Sequence, residues 1–196
     1  SPLGVEGEGE LIIGSSKSCV QPAKNAGIPV ALKNTMEPDA PGTIINNELQ
    51  RGTIKAVAAK DNITAINITS SRMLLAYGFL RKVFEIFENY KTSIDMVCTS
   101  EVGVSVTIDN RNHLADIINE LKKYGTVNVE EDMCIICVVG DLASDNIGFE
   151  TKVCMALKDV PVRMISYGGS PHNISFVVKD ADKKQTLQAL SDTLFK

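Results

Sequence analysis

The segment Ser70-Ser71-Arg72-Met73-Leu74-Leu75-Ala76-Tyr77-Gly78-Phe79-Leu80 has the pattern of a strand passing into a helix through a glycine. A residue without a side chain at that point lets a ligand approach the first free N–H groups of the helix. Those groups and the helix dipole favour a carboxylate. Asp95, with Ile94 and Met96 on either side, is an acid on a neighbouring strand, suited to an ammonium. A helix N-terminus for a carboxylate and an acid for an amine together describe a pocket for a small amino acid. Ser93-Ile94-Asp95 and Thr99-Ser100-Glu101 are the segments set against the loop. The same residues also admit a purely architectural reading, because loop glycines and strand aspartates often serve the fold alone.

Little else in the chain suggests chemistry. There is no HExxH, no GxSxG and no Walker-type glycine loop, and the two histidines are His113, near a helix start, and His172, in a turn. Glu130-Glu131-Asp132 and the Asp180/Asp182 pair read as solvated charges, and Tyr167-Gly168-Gly169-Ser170 reads as a strand connection. Cys134 and Cys137 form a CxxC inside a strand pattern, where residues three apart face opposite ways; this suits neither a metal nor a disulfide. With Cys19, Cys98 and Cys154 the cysteines number 5, an odd set lodged mostly in apolar runs, as expected of buried thiols in a reducing compartment.

Composition narrows the class further. The 196 residues are 44% hydrophobic and 22% charged, which excludes a disordered chain and allows a sizeable core. A net charge of -4 without a basic run disfavours nucleic acid and membrane surfaces as partners. No apolar run reaches the length of a membrane span, and no secretory pattern opens the chain.

The elements that must position these residues follow from periodicity. Residues 1–18, rich in Gly and Glu, read as a tail or cloning scar. Val20 to Ala26 reads as a short helix ended by Gly27, and Ile28–Leu32 as an edge strand because of Pro29. Strands are expected at Ile54–Ala59, Ile63–Thr69, Ser93–Cys98, Val102–Ile108 and Thr126–Val129, with helices at Gly78–Glu88 and His113–Tyr124. The order then repeats: strand Met133–Val139, helix Gly148–Leu157, strands Val162–Ser166 and Asn173–Val178, helix Ala181–Phe195. Gly78-Phe79-x-x-Lys82-Val83 recurs as Gly148-Phe149-x-x-Lys152-Val153, and Ile94-Asp95-Met96-Val97 is answered by Val162-Arg163-Met164-Ile165.

Two copies of β-α-β-β-α-β imply an α/β (α+β) fold of two ferredoxin-like βαββαβ units. The second copy lacks a last strand, and Ile28–Leu32 is the candidate to complete it, which places the first unit inside the second. The expected divisions are a connection over 19–53 that includes the strand at 28–32, a first unit at 54–131 and a second at 132–196.

At these residues the sequence resembles the C-terminal regulatory region of aspartate kinase, a tandem pair of ACT domains. Arg72-Met73-Leu74 with Tyr77-Gly78-Phe79-Leu80 resembles the family's ligand loop, and Ser93-Ile94-Asp95 with Thr99-Ser100-Glu101-Val102 resembles its strand pair. Asn173-Ile174-Ser175-Phe176 resembles the second unit's signature, and Gly27-Ile28-Pro29-Val30 the connection out of a kinase domain. The family's Lys-Phe-Gly-Gly-Thr-Ser opening motif is not in this chain.

The resemblance therefore implies a regulatory fragment without kinase activity or cofactor of its own, whose parent uses ATP and Mg2+ in the cytoplasm, or in a plastid if the source is a plant. Met73 with Thr99-Ser100-Glu101 resembles the lysine-inhibited subgroup. The implied L-lysine site comprises Met73, Leu75, Ala76, Gly78, Phe79, Leu80, Ser93, Ile94 and Asp95. A homodimer through the first ACT unit brings Ser100 and Glu101 from the partner chain. Leu75 and Ala76 replace polar residues that some members carry. A module tuned to threonine or S-adenosylmethionine, or a structural dimerisation module with an empty pocket, are the alternatives.

Overall fold

The computed structural model describes Val20 and residues 22–23, 25–46, 54–70, 77–141 and 148–195. Met73, Leu75, Ala76, Cys19 and the tail expected at residues 1–18 lie outside the described residues. Val20, Pro22, Ala23 and Asn25 are helical; Ile28 N–H donates to the Ala23 carbonyl at 2.9 Å, and Gly27 turns the chain at φ +68°. Strands β1 (Val30–Leu32) and β2 (Thr43–Ile45) then form an antiparallel pair of their own.

Everything after this is built on one six-stranded antiparallel sheet. Its strands are β3 (Ile54–Thr69), β4 (Met96–Thr99), β5 (Gly103–Ile108), β6 (Thr126–Gly140), β7 (Met164–Ser166) and β8 (Asn173–Lys179), in the order β4-β5-β3-β6-β8-β7. Helices α1 (Phe79–Asn89) and α2 (Leu114–Leu121) serve the first unit; α3 (Phe149–Ala156) and α4 (Lys183–Leu194) serve the second. The alternation expected at Ile54–Ala59 and Ile63–Thr69 belongs to one 16-residue strand, β3, and that at Thr126–Val129 and Met133–Val139 to one 15-residue strand, β6.

These two strands run side by side throughout and change outer partner midway. Residues 64–69 of β3 pair with β5, whereas residues 133–139 of β6 pair with β8. The polar stretches that interrupt the alternation mark this change of partner and not an end of strand. At the change the ladder slips register, and Asn62 and Asp132 take positive φ of 59° and 55°. Asn and Asp tolerate that region best among residues with side chains.

The pairing corrects the expected domain division. The strand that completes the second unit is the first half of β3: Val57 faces Val138, and Lys60 faces Ile135. Ile28–Leu32 does not do so, because Val30–Leu32 is spent on β2 and the place beside β6 is taken by β3 along its length. Residues 54–60, expected in the first unit, therefore belong to the second. The first unit still sits inside the second.

Side-chain alternation sorts the core into three parts. Ile66 and Ile68 with Val104, Val106 and Ile108 are covered by Phe79, Val83, Phe87, Ile117 and Leu121 of the first unit's helices. Cys134, Ile136 and Val138 with Ile174, Phe176 and Val178 are covered by Phe149, Val153 and Leu190. The opposite faces supply a third cluster of Ile63, Ala65, Met96, Met133, Ile135, Met164 and Val177. Met96 and Met164 lie on the two end strands, so the sheet folds over and packs its helix-free face on itself. The Cys98 thiol donates to the Ile165 carbonyl at 3.1 Å across this closure. Cys134 is fully buried and Cys137 is not, as the opposite facing of a strand CxxC requires. Among the described residues no helix is long and apolar enough to cross a membrane.

The crossover conformation yields a stability prediction. A β-branched side chain in the left-handed region costs about 1–2 kcal/mol. Asn62→Val and Asp132→Val should each lower the urea midpoint accordingly, while Asn62→Gly should leave it unchanged or raise it.

Candidate functional site

Gly78 caps α1 with φ 82° and ψ 11°, a left-handed conformation suited to glycine, and no side chain caps the helix. Among the described residues, nothing lies within 4 Å of where a Cβ on Gly78 would stand. Gly148 repeats this geometry on α3 with φ 85° and ψ 6°. Phe79 is buried in the first core, so it can offer a ligand its backbone only, whereas Leu80 is partly exposed and Tyr77 fully so.

Among the described residues of the expected site, Ser93–Asp95 and Gly78 lie at opposite ends of β4 within one chain. Ser70 N–H donates to the Val102 carbonyl at 2.9 Å, which ties the end of β3 to the β4–β5 turn carrying exposed Ser100 and Glu101. Helix α1 ends at Asn89, just before β4 begins, so its N-terminus at Gly78 points toward that same turn. Ser93-Ile94-Asp95 lies at the other end of β4, with the strand Met96–Thr99 between Asp95 and Ser100, a span of about 17 Å at the rise of an extended strand. The division departs from the expectation: Ser100 and Glu101 share an end with Gly78 of their own chain, and Ser93–Asp95 stand apart. Ile94 packs inward against the first core, and Ser93 is exposed.

Asp95 is already engaged. Its N–H donates to the Thr107 carbonyl at 2.9 Å, and its carboxylate accepts from Lys60 Nζ at 2.6 Å. The same ammonium lies 2.8 Å from Asp109. The hydrogen bonds to Asp109 and then Asp95 hold the Lys60 pKa above its ordinary value, and the Lys60 bond in turn holds the Asp109 carboxyl below its own. Lys60 escaped the sequence reading because its partners are 35 and more residues away.

The second unit holds a counterpart of opposite polarity. Arg163, which stands where Asp95 does in the repeat, donates its backbone N–H to Val177 at 2.8 Å and its guanidinium to Glu130. Glu130 stands 70 residues beyond Lys60, at the matching point before the crossover. The fold thus carries two clamps from crossover strand to edge-strand entrance, one Lys-on-Asp and one Glu-on-Arg. The 70-residue repeat is the signal from which both could have been found.

A cleft of 780 Å³ opens at the crossover, lined by Asp61, Asn62, Arg111, Asp132, Lys183 and Lys184 among others. Beside it the ligating atoms of Asp61, Cys134 and Asp180 lie within 4.8 Å of one another. Lys183 Nζ sits 2.6 Å from Asp61 and supplies the positive charge there. Burial pushes the Cys134 thiol up to about 11, with the Asp180 and Asp61 charges adding to it. A thiol with two exposed carboxylates, one of them already paired with Lys183, does not suit Mg2+, which wants an all-oxygen shell. Because the folded pKa is raised, this thiol's contribution to stability is present below its ordinary value of 9.0 and is lost as pH rises toward 11. In the native protein at about pH 8, exposed Cys154 should be alkylated readily and Cys134 hardly at all; peptide mass spectrometry after brief labelling reads the ratio.

Comparison with known proteins agrees with this architecture. A family model described as ACT domain matches residues 136–194, the second unit. Aspartokinase 1, chloroplastic, from Arabidopsis thaliana is 37% identical over 188 residues, covering 90% of this chain and 33% of its own. The chain thus spans about a third of that curated relative. A solved structure described as a C-terminal regulatory domain of aspartate kinase from Porphyromonas gingivalis is 57% identical, with a TM-score of 0.66 over 72% of this chain and 97% of that one. Escherichia coli aspartokinase III, solved in complex with lysine and aspartate in its T-state, is 33% identical with a TM-score of 0.79, covering 91% of this chain and 42% of that one. The chain belongs to the aspartate kinase family, to its C-terminal regulatory regions of paired ACT units.

Proposed function

We propose that this region is a feedback sensor that binds L-lysine between the first ACT units of two chains. The observation that carries the reading is the separation of the site residues along β4. That strand ends the sheet, so its outer edge is the place for a second chain. Antiparallel pairing of two such edges about a two-fold axis sets the entrance of one β4 against the exit of the other. Ser93, Ile94 and Asp95 of one chain then face Gly78, Leu80, Ser100 and Glu101 of its partner; Met73, Leu75 and Ala76 enter the proposed site from the family resemblance alone. Exposed Leu80 and Phe84 on the outer face of α1, Tyr77 just before its start, and Val97 and Val102 beside the edge provide apolar surface for the pairing.

In this pocket the N–H groups after Gly78 take the ligand carboxylate, and Asp95 takes an ammonium. Lysine is favoured over threonine because its second ammonium can use the further acid, Glu101. The E. coli relative solved with lysine supports the choice. In the whole protein, occupancy biases a kinase domain that transfers the ATP γ-phosphoryl group to the β-carboxylate of aspartate; ATP and Mg2+ belong to that domain. Such coupling amounts to about 1–3 kcal/mol. The working compartment is the cytoplasm, or a plastid, as the Arabidopsis relative's name states for that protein. The Lys60–Asp95 pair favours a second reading, a structural dimerisation module, since the carboxylate has a partner without any ligand.

Calorimetry with L-lysine, with L-threonine and S-adenosylmethionine as controls and the mass measured alongside, separates these readings. Saturable heat at one lysine per chain on a dimer is expected. Binding of a control alone would change the effector, and silence from all three would leave the dimerisation module. Asp95→Ala should abolish the lysine heat and Arg163→Ala should leave it; equal losses would overturn the assignment to the first unit.

A further inference from the structure

We propose that Lys60 is a resident competitor for the ammonium subsite at Asp95, and that effector binding hands its side chain over to Asp109. The inference rests on the sensor reading above and adds a residue to it. Lys60 Nζ lies 2.6 Å from Asp95, where a ligand ammonium would dock. A second ammonium on the same carboxylate would place two like charges within about 5 Å of each other, a repulsive arrangement. The geometry supplies the relief, because Asp109 lies 2.8 Å from the same nitrogen and can keep Lys60 neutralised when Asp95 is given up.

The second unit lacks this provision. Arg163 grips Glu130 through both Nε and a terminal nitrogen, and the group at the strand entrance is a cation. An ammonium ligand has no acid to claim there, so only the first clamp can be opened by an amine. Lys60 also stands two residues from the Asn62 crossover, on the half of β3 that completes the second unit, whereas Asp95 and Asp109 belong to the first. Its release is therefore an event at the junction of the two units.

Competition and relief predict effects of opposite sign. Lys60→Met keeps the aliphatic stem, removes the rival charge and should tighten L-lysine binding about two- to five-fold, the range expected from a partly exposed ion pair. Lys60→Gln should act in the same direction and serves if the methionine variant folds poorly. Asp109→Asn leaves Lys60 with Asp95 alone and should weaken binding by a similar factor, while Glu130→Gln, which opens only the other clamp, should leave it unmoved. A merely structural role would shift Lys60→Met and Asp109→Asn the same way. Calorimetry of the full chain with L-lysine reads all four. Wild-type binding that neither Lys60 variant tightens, or a Glu130→Gln shift as large as that of Lys60→Met, overturns the role of Lys60 and leaves the sensor reading standing. Absence of saturable heat from wild type and every variant overturns the sensor reading itself, and the competitor with it. Binding by a Lys60 variant where wild type shows none supports both.

Discussion

The pairing of β3 with β6 is the constraint on which the rest of the architecture depends. Each strand is long enough to serve two units, and each gives one half to either side. The first unit is therefore closed off by β6 before the second begins, and the second is completed by a strand the chain laid down before the first. Each unit has four strands, and the two sheets are continuous with each other through β3 and β6. The slip in register at Asn62 and Asp132 lets one continuous ladder feed two helix-covered cores, and the fold-over buries its third face. Because both long strands run through both sheets, the halves should unfold together.

On this frame the repeat has diverged where it matters chemically. Both units keep the left-handed glycine at the helix start, and both keep a charged contact from the crossover strand to the edge-strand entrance. The polarity of that contact is inverted. Reversal preserves a tether of the surface-pair kind, modest in energy, while changing what the entrance offers a ligand. An aspartate held by a lysine with a second acid in reach can be reclaimed by an incoming amine; an arginine forked onto a glutamate cannot. Two sites of similar shape are thus left with different chemistry.

The sequence was legible where the signal is local. The helices carry three- and four-residue spacing, and α1 to α4 all fall within a few residues of their expected bounds, with Gly78, Gly125 and Gly148 punctuating the first three. The 70-residue repeat announced two ferredoxin-like units and a nested order. What stayed hidden was partnership. Alternation marks Ile54–Ala59 as a strand but not whose strand it is, and Lys60-Asp61-Asn62 reads as a break because a polar bulge and a loop look alike along the chain. The same blindness concealed Lys60 itself, an exposed lysine until β3 and β5 bring Asp95 and Asp109 to it. Gly78 and Asp95 read along the chain as complementary to an amino acid, yet β4 stands between them, and in the proposed site it is an antiparallel neighbour that removes that distance.

That distance bears on how a small ligand can regulate anything. An effector shifts an equilibrium only as far as it binds one arrangement better than another. A pocket complete within one chain would be filled equally well in every arrangement of two chains and would bias none of them. In the proposed site, with the carboxylate end on one chain and the ammonium acceptor on the other, affinity would exist only where the two edges are in register. On the proposal made above, Lys60 would sharpen the condition, because its contact with Asp95 has to give way before a ligand amine can take that carboxylate. Occupancy and arrangement then become the same event, and the strand crossover two residues away is where the second unit would feel it.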